Sequence, residues 1–148
     1  MGYNITMEDG SIDIPNEHLE AVYVKMCTLN DLPDEYKNGG AYSGGKRTGA
    51  WFSWMPADYP NVCRNAQEIL EELGFTCRQT SEYLVADMYD SKVGQEKVFI
   101  AAIAPWIDEP CEVYWVGEDG ARWKWTFDHG VMIEHEGHLT YVSREIVL

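Results

Sequence analysis

Basic residues are scarce in this chain: 11 Lys and Arg stand against 25 Asp and Glu in 148 residues, a formal net charge of −14. Nucleic acid and anionic membranes repel such a surface at long range, so neither is expected to bind directly, and the charge favours a basic protein partner. Long apolar runs are also missing. No stretch approaches the roughly 20 residues a transmembrane helix needs, and no basic segment leads into an apolar one at the N-terminus. The expectation is a cytoplasmic protein. Closely spaced cysteines are absent as well: Cys27, Cys63, Cys77 and Cys111 are far apart in the chain. That spacing argues against zinc knuckles and redox dithiols and predicts reduced thiols in or near a core.

What is present belongs to a folded protein. Apolar residues make up 45% and aromatics 13% of the chain, too many for a disordered acidic tail. The length fits one domain spanning residues 1–148 and is enough to bury a core. No repeat or long linker interrupts it.

The pattern of apolar residues predicts an α+β fold. A short strand at 3–7 turns at Glu8-Asp9-Gly10, and a helix over 16–29 buries Leu19, Val22, Tyr23 and Met26. Residues 30–59 lose regularity, with glycines at 39, 40, 44 and 45 marking a flexible loop and a short aromatic strand at 50–55. Asn61 is the expected cap of a second helix, whose buried face is Ala66, Ile69, Leu70 and Leu73 and whose stop is Gly74. Strands at 75–79 and 83–89 flank a polar turn, and Asp90 or Ser91 is the expected cap of a third helix running to Pro105. Four strands at 111–116, 122–127, 131–136 and 139–143 close the chain as a meander, with Trp123, Trp125 and Phe127 alternating against Arg122, Lys124 and Thr126. The three helices cover one face of this mostly antiparallel sheet.

No motif assigns catalysis, a metal or a cofactor. Gly40-Ala41-Tyr42-Ser43-Gly44-Gly45-Lys46 spells the start of a phosphate-binding loop. Arg47, however, stands where Ser or Thr should reach magnesium, and strand-like sequence follows where a helix should begin. A mobile basic loop at Lys46 and Arg47 is expected instead. His129, His135 and His138 lie in or beside the last hairpin without the helical spacing of a metalloprotease site. Cys63 or Cys111 could serve as a nucleophile only if folding brought a histidine to it.

The charge is uneven, and that points to a partner. Residues 1–36 hold Glu8, Asp9, Asp13, Glu17, Glu20, Asp31, Asp34 and Glu35 against the single base Lys25. Residues 98–121 hold Asp108, Glu109, Glu112, Glu118 and Asp119 and no Lys or Arg. If adjacent in space, these carboxylates imitate the dense phosphate field of DNA and suit a nucleic-acid-binding groove on another protein. Trp106 and Trp54 are candidate aromatic anchors.

Two segments, Tyr89-Asp90-Ser91-Lys92-Val93-Gly94-Gln95-Glu96 and Gly117-Glu118-Asp119-Gly120-Ala121-Arg122-Trp123-Lys124-Trp125-Thr126-Phe127, carry a resemblance. With the order of elements from the first helix onward, the chain resembles small acidic uncharacterised proteins encoded by bacterial viruses and prophages. The resemblance implies an accessory protein acting in the cytoplasm of a bacterial host. The leading expectation is a non-catalytic protein-binding module that inhibits a basic, nucleic-acid-binding host protein by charge mimicry. Two other readings stay open. A small enzyme predicts a deep pocket where His129 or His135 meets carboxylates or a cysteine. An assembly protein predicts a symmetric apolar interface at Trp54 or Trp106, and the oligomeric state is left open.

Overall fold

The computed structural model describes residues 2–148. Strands β1 (Asn4–Gly10) and β2 (Ile12–Pro15) lead through a 3-10 turn into helix α1 (Leu19–Thr28). The hairpin β3 (Gly39–Ser43) and β4 (Lys46–Trp51) follows, then the short α2 (Tyr59–Val62) and α3 (Ala66–Leu73). Strands β5 (Phe75–Gln79) and β6 (Tyr83–Lys92) and helix α4 (Glu96–Ile103) precede β7 (Cys111–Gly117), β8 (Arg122–Asp128) and β9 (Val131–Glu136). The fold is α+β. A 7-stranded sheet runs β2-β6-β1-β7-β8-β9, with β5 added to β6, and every pairing is antiparallel.

The long strand β6 organises one half of the sheet. Its N-terminal part sits between β2 and β5, and its C-terminal end pairs with β1, through Asn4 opposite Lys92 and Thr6 opposite Asp90. Strand β1 then shifts register after Met7 and continues along β7. Gly10 makes this passage possible: its φ is +89°, and a Cβ there would lie 2.1 Å from the Glu112 carbonyl oxygen. Helices α1, α3 and α4 pack on the sheet, so that Val22, Met26, Ile69, Leu70, Phe99 and Ile103 meet Ile12, Ile14, Leu84, Val113, Trp115 and Trp125 in one buried cluster. Tyr59, carried in by α2, donates its hydroxyl to the Met26 carbonyl at 2.6 Å and packs near Phe52 and Phe99. Among the described residues no helix is long and apolar enough to cross a membrane.

Several expectations are corrected. The glycine loop is the β3–β4 hairpin, with Gly44 and Gly45 at φ +58° and +79° in its two-residue turn, as a tight right-twisted hairpin requires. The cap of α3 is Asn65, not Asn61. The Asn65 side chain accepts from the Glu68 amide at 2.9 Å, while Glu68 accepts from the Arg64 amide at 2.7 Å. Asp90 and Ser91 remain in β6 because β1 offers them partners, and Asn4 Nδ2 and Thr6 Oγ1 donate to the Asp90 carboxylate at 2.9 and 3.2 Å. Residues 139–143 form no strand. The meander has β7, β8 and β9, and β1 takes the place beside β7. An alternating pattern marks which face a strand would bury but supplies no partner edge, and residues 139–143 stay exposed and join no ladder.

Candidate functional site

The β1–β7 pairing joins the two base-poor stretches. The Asp108 amide donates to the Asp13 carbonyl at 2.9 Å, and the Glu118 amide donates to the Asn4 carbonyl at 2.9 Å. At one end, Glu17, Glu82, Tyr83 and Asp108 line a shallow depression of about 400 Å³ together with Pro15 and Asn16, and no Lys or Arg is among them. The Tyr83 phenol registers this field. The Asp108 charge, then burial, then Glu82 and Asp13 push it above its ordinary value. Cys111 lies nearby and is pushed up to about 12 by burial first and by Asp13, Asp108, Glu112 and Glu109 after it.

The remaining candidate residues divide between internal work and other surfaces. Glu8 is paired with Arg122, and Asp9 accepts from the Gly10 amide at 2.8 Å. The Glu109 carboxylate holds the β8–β9 turn, accepting from the His129 and Gly130 amides at 3.1 and 2.9 Å. Glu112 accepts from the Tyr114 hydroxyl at 2.5 Å and pairs with Lys124 at 3.5 Å, which holds its carboxyl below the usual range. Glu118 accepts from the Asn4 amide at 3.2 Å. Asp119 accepts from the Tyr3 hydroxyl, and that bond lifts the Tyr3 phenol to about 12 and lowers Asp119. Glu20, in the first turn of α1, lies beside Asn65 and Gln79. Asp31 shares a depression with Asp58 and Asn61, while Asp34 and Glu35 form the 3-10 turn next to Lys37. These last three lie apart from the Asp13–Asp108 surface. Trp106 packs partly against the core, whereas Trp54 is 55% exposed with φ +68° and its indole N–H donates to the Val93 carbonyl at 3.0 Å.

The sequence expectations for other chemistry also change. Arg47 is a tether, not a mobile loop cation: it donates to the Asp34 carbonyl at 3.0 Å, the Gly39 carbonyl at 2.7 Å and the Lys37 carbonyl. The glycine-lysine run leads into β4, so no helix N-terminus faces it. His129 sits in the β8–β9 turn beside Asp128 at 2.8 Å, and His135 shares a hydrogen bond with Thr126 at 2.9 Å. All four cysteines are free, and burial holds Cys63 at about 11, Cys77 at about 12 and Cys27 above its ordinary value. Thiols shifted upward by burial are poor nucleophiles.

A second region is concave. A cavity of about 450 Å³ opens between the N-terminal turn of α4 and the inner face of β8 and β9. Trp125 and Trp123 form its floor, and Glu96, Lys97, Glu134 and Glu136 stand around them. Trp125 is fixed by its indole N–H, which donates to Glu134 at 3.0 Å; Lys97 pairs with Glu134 at 3.0 Å. The Trp123 ring lies parallel to Trp115, at 7° with centroids 6.4 Å apart.

Glu96 is 3% exposed. One of its oxygens, Oε2, accepts from the Gly94 amide at 2.9 Å and the Tyr89 hydroxyl at 3.4 Å. Burial pushes its carboxyl above the ordinary value, against the lowering effect of those bonds. Glu134 moves the other way. Burial raises it, but the Trp125 and Lys97 hydrogen bonds and the Lys97 charge outweigh burial and leave it low.

The chain matches no protein-family model, no curated protein and no solved structure.

Sequence reasoning missed Glu82 and the whole cavity. Glu82 lies outside both base-poor stretches and reaches the acidic surface because β6 pairs with β2. Glu96 and Glu134 are 38 positions apart, and only the packing of α4 against β9 brings them to one cavity. The aromatic alternation in β8 was the one available signal. It identified Trp123 and Trp125 as a face, with no means of telling that the face would be left partly uncovered.

Proposed function

We propose that this protein is a non-catalytic acidic module of viral or prophage origin that binds a basic protein of a bacterial host cell and competes there with nucleic acid. The observation that carries this reading is the meeting of Glu17, Glu82 and Asp108 beside Tyr83 in a depression lined by no Lys or Arg, with Asp13 close enough for its charge to reach the phenol. Carboxylates drawn from three separate chain segments concentrate negative potential on one open surface. Such a field speeds encounter with a basic patch, while contacts beneath it set specificity. The open shape suits a protein surface, and the upward-shifted thiols supply no activated nucleophile.

The test is capture from a bacterial lysate by the immobilised protein. A basic, nucleic-acid-binding protein is expected at low salt, released by rising ionic strength and displaced by duplex DNA. The combined variant Asp13→Asn, Glu17→Gln, Glu82→Gln and Asp108→Asn is expected to lose it. Capture of no such protein at low salt, or capture unchanged in the variant, overturns the reading.

A further inference from the structure

The Trp123–Trp125 cavity uses none of the acidic surface, and its chemistry is of another kind. Its volume of about 450 Å³ falls within the ordinary range of small-molecule sites. Both bases along its wall are already engaged: Lys97 pairs with Glu134 at 3.0 Å, and Arg122 pairs with Glu8. Paired charges leave little pull on a free cation or anion. The wall does present hydrogen-bond donors and acceptors side by side, with Lys97 and Arg122 as donors and the carboxyl groups of Glu96, Glu134 and Glu136 as acceptors. A hydroxyl both donates and accepts, so a ring carrying several of them answers such a wall.

The floor adds the second half of the match. Trp125 is locked by Glu134, and Trp123 is held parallel to Trp115, so the aromatic surface is in place before a ligand arrives. The C–H face of a pyranose is flat and weakly apolar, and dispersion with an indole ring suits it. Glu96 supplies a third observation. It lines the cavity beside the two indoles, and its Oε2 is held in place by the Gly94 amide and the Tyr89 hydroxyl.

We propose that this cavity is a binding site for a neutral, hydroxyl-rich ring, a mono- or disaccharide stacked on Trp123 with its hydroxyls bonded to Glu96, Lys97 and Glu134. The site stands independently of the acidic docking surface.

The experiment follows the tryptophan indole N–H resonances while glucose, galactose, N-acetylglucosamine, maltose and cellobiose are added separately to the full chain. Adenosine, arginine methyl ester and inorganic phosphate serve as neutral aromatic, cationic and anionic controls. At least one sugar is expected to shift the Trp123 and Trp125 signals saturably while the Trp54 signal stays still. Trp123→Ala is expected to weaken binding about tenfold or more, and far-ultraviolet circular dichroism checks that it folds. Lys97→Ala and Glu136→Gln alter side chains at the rim and are each expected to weaken binding at least about threefold. Trp54→Ala and the fourfold acidic-surface variant are expected to bind the sugar as before. Absence of a saturable shift with all five sugars overturns the proposal. So does preferential binding of adenosine, the arginine ester or phosphate, or sugar affinity unchanged in Lys97→Ala and Glu136→Gln.

Discussion

The acidic depression and the tryptophan cavity are built from the same residue type, and they put it to opposite uses. Around Tyr83 the carboxylates of Glu17, Glu82 and Asp108 are open to water, no Lys or Arg lines their depression, and the charges of Asp108, Glu82 and Asp13 together raise the phenol. Around Trp123 two carboxylates have a local assignment: Glu134 binds an indole and a lysine, and Glu96 is enclosed, with burial raising its carboxyl above the ordinary value. Exposure explains the difference. Water screens an exposed charge and lets several coexist, whereas an enclosed one must be paired or protonated. Net charge therefore describes only the first region.

The largest effect that separates the two regions is on stability. Trp125→Ala removes a buried ring from the cavity floor and is expected to cost about 3–5 kcal/mol in urea unfolding. Asp108→Asn, on the open surface, is expected to stay within about 0.5 kcal/mol in the same measurement. Equal losses from the two substitutions would erase the distinction between the core-linked region and the surface one.

Next in size is a pH effect belonging to Glu96 alone. Its folded pKa lies above the ordinary value of 4.5, so its contribution to stability is fully present below that value and is lost as pH rises through the folded pKa. Glu96→Gln keeps an acceptor for the Gly94 amide and cannot ionise. Thermal unfolding from pH 4 to pH 8 is expected to show the wild-type protein losing stability relative to this variant across that rise. Parallel profiles would place Glu96 in an environment no different from water.

A smaller effect concerns the acidic field itself. Asp108 is the leading cause of the raised Tyr83 phenol, so Asp108→Asn should lower the pH at which Tyr83 ionises, and added salt should lower it in the wild-type protein too. Tyrosinate absorbance or carbon NMR of Tyr83 reads the shift. The smallest effect is expected from deleting residues 139–148, all of which are exposed. The melting temperature should scarcely change, and a drop of more than a few degrees would assign that segment to the fold.

Much of the fold was legible along the chain. The buried face of α3 at Ala66, Ile69, Leu70 and Leu73 follows from helical spacing alone, and Gly74, at φ +122°, ends it as a glycine should. Strands β5, β7, β8 and β9 were readable from alternation and turn residues because their partners are sequence neighbours. Other features required knowledge of what lay across space. Asp90 looks like a helix cap until β1 arrives to extend β6, and Arg47 looks like a loop cation until three carbonyls surround it. Asn61 and Asn65 are equally good caps by composition, and the reciprocal bonds of Asn65 and Glu68 decide between them.

Residue types and their order are enough for an acidic α+β protein, for the helical and strand faces that make its core, and for two stretches without balancing bases. These properties depend on residue type and spacing, which are local. Tertiary structure alone decided that Asp13, Glu82 and Asp108 share a surface, that Asp31, Asp34 and Glu35 do not, and that Glu96 and Glu134 face one cavity. The reason is long-range pairing: β1 with β7, β2 with β6 and α4 with β9 juxtapose residues whose separation in sequence carries no trace of their separation in space.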